Sequence, residues 1–124
     1  MPILLMLVML NSSSLYAKAG SEQHIHRPVA FVEAIKEKEN AGELVYQQFC
    51  ALCHAENPMI KLNAPRINHP KEWGDSLQLS IDEMLANIDE GMGTMPPRGG
   101  CFECSDDQLR AAIAYMLPKN YQKS

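Results

Sequence analysis

Cys50-Ala51-Leu52-Cys53-His54 sets two thiols three residues apart, with an imidazole directly after the second. Each residue type has a use in one piece of chemistry. The thiols each add to a vinyl group of a porphyrin, and the adjacent imidazole meets the iron as its proximal ligand, which is the attachment pattern of c-type haem. A bare CxxC pair reads equally as half a zinc site, a thiol–disulfide redox motif or a structural disulfide. The histidine turns the reading toward one haem c, bonded through Cys50 and Cys53, with His54 on the iron.

Such an iron keeps a sixth position, and a soft donor is the natural occupant in an electron carrier. Met/His ligation favours ferrous iron and raises the potential. Gly91-Met92-Gly93-Thr94-Met95-Pro96-Pro97-Arg98-Gly99-Gly100 has the composition for it. The two prolines fix consecutive φ angles after Met95 and stiffen the loop that must hold the sulfur. The glycines let the chain turn tightly and pass close to a flat ligand. Met92 competes for the role, but it follows directly on an expected helix end at Gly91. Met95, centred in the stiffened loop, is therefore taken as the axial donor. His69 is a rival sixth ligand, read here as an exposed loop histidine. His24 and His26 read as solvated.

The elements that must position these groups are helical. Residues 41–50 read as a helix carrying Val45 and Phe49 on one face and running into the CxxCH motif. Residues 57–68 read as loop, marked by Pro58 and Pro65. Ser80-Ile81-Asp82-Glu83 is a capping box, and the helix it opens carries Ile81, Met84, Leu85 and Ile88 on one stripe before stopping at Gly91. Ser105-Asp106-Asp107-Gln108 opens a second, with Leu109, Ala112, Ile113, Met116 and Leu117 as its stripe and Pro118 as its end. No segment alternates with period two, so the expected class is all-α. Trp73, the sole tryptophan, lies between the two candidate loops. Its indole N–H reads either as a partner for a haem propionate or as part of a core anchor.

The chain opens with an apolar run over residues 3–10, too short to span a bilayer, then polar residues and Ala17-Lys18-Ala19. This reads as an export signal over residues 1–19, although no Lys or Arg precedes the apolar run. The alternative is an uncleaved leader acting as a weak membrane anchor. Residues 20–40 are a polar lead segment expected to drape over the domain, and residues 41–124 form the domain itself. Roughly 105 residues after the leader suffice for one domain. The formal charge of −4 argues against nucleic acid as a partner. Lys61, Arg66, Lys71 and Arg98 flank the presumed haem and read as a small basic docking ring. Aromatic residues make up only 6% of the chain, and a buried porphyrin would supply the flat apolar body the core lacks.

Together these residues resemble a class I cytochrome c, most closely the cytochrome c5 family. Gly42, Tyr46 and the CxxCH run match that family's first helix and haem site. Met95-Pro96-Pro97-Arg98-Gly99 matches its axial-methionine loop, and residues 105–116 with Tyr115 match the last helix, which crosses the first. The resemblance implies that the Pro65 carbonyl accepts a hydrogen bond from the second nitrogen of His54 and so orients the ring. It also implies a disulfide between Cys101 and Cys104, which an oxidising compartment favours. Ser105 follows Cys104, so that pair lacks the histidine a second haem would need, and zinc would need further ligands. The fold implied is a small helical domain wrapped around one covalent haem.

The function expected is a single-haem, periplasmic electron carrier without turnover of its own. Redox proteins, membrane-associated respiratory complexes among them, would be its donors and acceptors. The alternatives are a cytochrome subunit or small haem enzyme in which Met95 dissociates, and a redox sensor using the Cys101–Cys104 thiols. No distal acid–base pair recommends the enzyme reading.

Overall fold

The computed structural model describes residues 27–121. Six short α-helices follow one another there: α1 (Pro28–Ala34), α2 (Ala41–Val45), α3 (Ala51–His54), α4 (Pro70–Trp73), α5 (Ile81–Glu90) and α6 (Asp106–Met116). A π-helical turn, Tyr46–Cys50, joins α2 to α3, so residues 41–54 form one continuous helical run ending on the histidine. Two 3₁₀ turns, Gly74–Gln78 and Pro97–Gly100, complete the described residues, whose one β feature is an isolated bridge between Met92 and Met95. The export signal expected over residues 1–19 lies outside the described residues, as do His24 and His26.

Both capping boxes close as the sequence predicts. Ser80 Oγ accepts from the Glu83 N–H at 3.2 Å, and Glu83 accepts from the Ser80 N–H at 2.7 Å. Ser105 and Gln108 make the same exchange at 3.1 and 2.9 Å. Each box satisfies two of the N–H groups that a helix start leaves without partners. Gly91 ends α5 with φ +84°, a left-handed backbone that a side chain would oppose.

The core forms where α2 crosses α6. The crossing is close enough that a Cβ built on Gly42 would stand 2.3 Å from the Ala111 carbonyl oxygen, so hydrogen is the one side chain that fits. Val45 is fully buried beneath it, against the Leu109–Ile113–Met116 stripe of α6. Tyr46 packs on Tyr115 with ring centroids 5.1 Å apart. The stretch 41–50 expected as plain helix changes to π-helical hydrogen bonding after Val45. Phe49 thereby packs edge-on against Phe31 of α1, at 5.9 Å.

The lead segment contributes more than a drape. Val32 and Ile35 are buried in the core, and the Val32 carbonyl accepts from Nε2 of Gln108 at 2.9 Å. Gln108 thus uses both ends of its amide: its oxygen caps α6, and its NH₂ ties α1 down. Glutamate would satisfy the capping pattern equally well but has no donor to give. Gln108→Glu is therefore expected to cost about 2 kcal/mol, the range for a buried carbonyl that loses its partner. Denaturant unfolding should show this as a lower midpoint at unchanged slope. A glutamate variant as stable as the parent would contradict it.

Candidate functional site

His54 closes α3 and is only 8% exposed. Its Nδ1 lies 2.7 Å from the Pro65 carbonyl oxygen. A carbonyl only accepts, so Nδ1 carries the proton and Nε2 is the nitrogen left to offer a lone pair to a metal. The three residues from Pro65 onward all serve this ring. The Ile67 N–H donates to the His54 carbonyl at 2.8 Å, and the Arg66 carbonyl accepts the indole N–H of Trp73 at 3.0 Å. The Trp73 ring then stacks on the imidazole, centroids 5.9 Å apart and 19° from parallel. Asn63 and Asn68 take left-handed φ of 58° and 62° on either side of this segment, a conformation asparagine tolerates better than most residues.

The indole N–H is therefore committed to a backbone carbonyl. Of the two readings of Trp73, the structure favours the core anchor over the propionate partner: its ring packs in the core against the imidazole, and its N–H is taken by the backbone. His69, by contrast, does not line the site; it faces Arg66 and Glu72, with Nδ1 3.7 Å from the Glu72 carboxylate.

The methionine loop is closed by its own backbone. Met92 and Met95 exchange hydrogen bonds, Met95 N–H to Met92 O at 2.8 Å and Met92 N–H to Met95 O at 3.1 Å, around a turn with Gly93 at φ +55°. Residues paired this way project their side chains to the same side. Gly91 is required a second time here, because a Cβ on it would stand 2.9 Å from the Met95 carbonyl oxygen.

The two loops meet on one cleft of about 340 Å³. His54, Pro65, Trp73, Met92 and Met95 all line it, with Met84, Ile88, Ile113 and Met116 supplying apolar wall from α5 and α6. Leu62 and Asn63 also belong to the wall, which the sequence reading missed; the Asn-Ala-Pro turn was the available signal. Met92 is 53% exposed at the rim, whereas Met95 is less so. The lining includes one imidazole and no carboxylate. An apolar slot that combines a tautomer-fixed imidazole with a thioether fits the face and axial ligands of a haem.

The four cysteines separate into two kinds. Cys101 and Cys104 are disulfide-bonded and buried, while Cys50 and Cys53 stay unpaired on the helical run before His54. Burial, with the neighbouring Cys53 second, pushes the Cys50 thiol up to about 12, the reverse of what a thioredoxin-like nucleophile needs. Among the described residues, no group of three His, Cys, Asp or Glu gathers as a metal site. Two members of the expected basic ring are neutralised: Arg66 pairs with Glu72, and Arg98 with Asp89 and Asp106.

Residues 37–116 match the family model described as cytochrome c oxidase, cbb3-type, subunit III. The chain is similar to cytochrome c5 of Azotobacter vinelandii, 36% identical over 61% of this chain and 90% of that protein. Among solved structures it resembles a chain in an electron transfer complex of nitrite reductase with cytochrome c, at 41% identity and TM-score 0.54, covering 61% of this chain and 89% of that one. It also resembles a mono-heme ferrocytochrome c from Shewanella putrefaciens, at 29% identity and TM-score 0.54, over 66% of this chain and 94% of the other.

The Pro65 segment is held from outside by Glu72, which accepts from the Arg66 backbone N–H at 3.0 Å and from its guanidinium. Those bonds, the side-chain ones first, hold the Glu72 carboxyl down at about 2, against an ordinary 4.5. Because the folded value lies below the unfolded one, the pair's stabilisation is complete above about pH 4.5 and disappears as the pH falls toward 2. The stability difference between the parent and Glu72→Gln should accordingly be constant near neutrality and close over that interval. Unfolding midpoints measured across it check this, and a gap that persists at pH 2 would contradict the assignment.

Proposed function

The chain belongs to the class I c-type cytochromes, close to cytochrome c5, and is a single-haem electron carrier; from that premise we propose which of its residues do the work. Cys50 and Cys53 would bond the porphyrin, and His54 through its ring nitrogen and Met95 through its thioether sulfur would hold the iron. The haem, when bound, supplies the reversible one-electron chemistry of its iron, and a His/Met pair biases it toward the ferrous form. The observation that carries the assignment is the His54–Pro65 hydrogen bond. It orients the ring and raises its basicity as a ligand, and it leaves one nitrogen lone pair available in an apolar cleft.

Electron exchange needs an accessible edge and a partner that can approach it. The rim carries Leu62 and Met92, each about half exposed, and Met59 on the same loop as Leu62 is 86% exposed. Apolar rim residues of this kind suit brief docking with redox proteins, the partner class that the nitrite reductase complex of a similar chain also supports. We further propose that its partners include membrane-associated respiratory complexes, and that residues 1–19 direct export to the periplasm, where covalent haem attachment takes place. No turnover of its own is proposed: the sulfur donor sits in a loop tied at both ends, and the cleft offers no second acid or base.

One experiment tests the residue roles. The exported protein should begin at Gly20 and carry the mass of one haem that acid–organic extraction fails to remove. Met95→Ala should abolish the weak methionine-to-iron charge-transfer band, lower the potential and admit cyanide, while Met92→Ala keeps the band. Extractable colour, or the reverse pattern between the two methionines, would overturn the assignment.

A further inference from the structure

Arg98 stands three residues beyond the candidate sulfur ligand and is tied to three separate parts of the fold. Its Nη1 donates to Asp89 near the end of α5. Its Nη2 donates to the Cys104 carbonyl at 2.7 Å and to Asp106, in the first turn of α6, at 3.0 Å. Its side chain is only 19% exposed, and Nε is buried without a partner, so the terminal nitrogens make every bond. A lysine, with one point charge, could not span the same three acceptors.

The backbone at this point is unfavourable on its own terms. Arg98, Gly99 and Gly100 take left-handed φ of 56°, 59° and 85° in succession. Glycine does so freely, but a residue with a Cβ needs the surroundings to hold it there. Asp89 is also poorly placed alone, a negative charge in the last turn of a helix whose C-terminus is already the negative end of its dipole. Each of these two oddities is explained by the other partner.

We propose that Arg98 is the positioning residue of the methionine loop, holding Met95 at its place in the cleft by fixing the loop's exit to α5, α6 and the disulfide turn. This rests on the reading of Met95 as the axial donor. The residues between the two are Pro96 and Pro97, whose ring-locked φ angles leave little slack to absorb a displacement. Movement of Arg98 is therefore passed on to Met95. At the loop's other end the Met92–Met95 backbone pair and Gly91 provide the matching anchor.

A matched control distinguishes positioning from general stabilisation. Arg110 also bridges α5 and α6, to Asp82 at 2.6 Å and Asp107 at 3.0 Å, but lies outside the methionine loop. In the haem-loaded protein, Arg98→Ala should weaken the sulfur-to-iron charge-transfer band and speed cyanide binding at least about tenfold, because local opening of the loop exposes the iron. Arg98→Lys should restore the band in part. Arg110→Ala should change neither the band nor the cyanide rate, whatever it does to thermal stability. If Arg98→Ala yields no holoprotein, Asp89→Asn reads the same clamp from its other side.

Arg98→Ala, or Asp89→Asn in its stead, with an unaltered band and cyanide rate would overturn the clamp and leave the ligand assignment intact. Arg110→Ala moving both readouts as much as Arg98→Ala would reduce Arg98 to a stabilising residue. A parent protein without the band would instead overturn Met95 as ligand, and the clamp with it.

Discussion

The hydrogen bond from Nδ1 of His54 to the Pro65 carbonyl fixes a tautomer and a ring orientation together, and most of the surrounding structure exists to keep its two ends in place. One end is delivered by the helical run of residues 41–54, anchored where Gly42 lets α2 lie directly on the backbone of α6. The other is delivered by an irregular loop, which has no ladder of its own to hold it. That loop is fastened residue by residue instead: Ile67 back to the His54 carbonyl, Arg66 to Trp73 and Glu72, and Trp73 stacked on the ring it helps to confine. An imidazole free to rotate would present its lone pair to the cleft only part of the time, and the affinity for iron would fall with that fraction.

The same economy of regular structure governs the sulfur side. Met95 lies outside any helix, yet it is bounded by a two-residue backbone pairing before it and by two prolines and a multiply bonded guanidinium after it. A helix could not supply this loop, since the thioether must reach across the end of α5 into a slot lined by α5 and α6 themselves. Stiffness comes from ring constraint and charge-assisted bonds, because a segment so short has little apolar surface to bury. The disulfide at Cys101–Cys104 adds a further fixed point just beyond the clamp.

Where chemistry demanded particular atoms at particular spacings, the sequence was legible. The CxxCH run, the methionine–proline loop and both serine capping boxes were read from it directly, because each requires few alternatives in residue type. The signals it hid were those with two uses. Arg98 looked like a surface charge, since nothing in sequence reveals that Asp89 and Asp106 converge on it from different helices. Gln108 showed its cap but not its bond to Val32, 76 positions away. The π-helical turn at Tyr46–Cys50 was invisible to a 3.6-residue period, although such turns recur near functional sites. Trp73 was placed near the site, but the Arg66 carbonyl that takes its N–H could be found only in three dimensions.

The central claim is that one cleft brings His54 and Met95 together as the two axial ligands of a single haem. The most direct measurement is NMR of the reduced holoprotein with isotope-labelled methionine methyl groups, sequence-specifically assigned. The methyl group of a methionine whose sulfur bound the iron would lie close to the porphyrin face, and the ring current would shift it far from the other methionines. The account predicts one such methyl group, belonging to Met95, together with a His54 Nδ1 proton protected from exchange by Pro65. A shifted methyl assigned to Met92, or none at all, would contradict it.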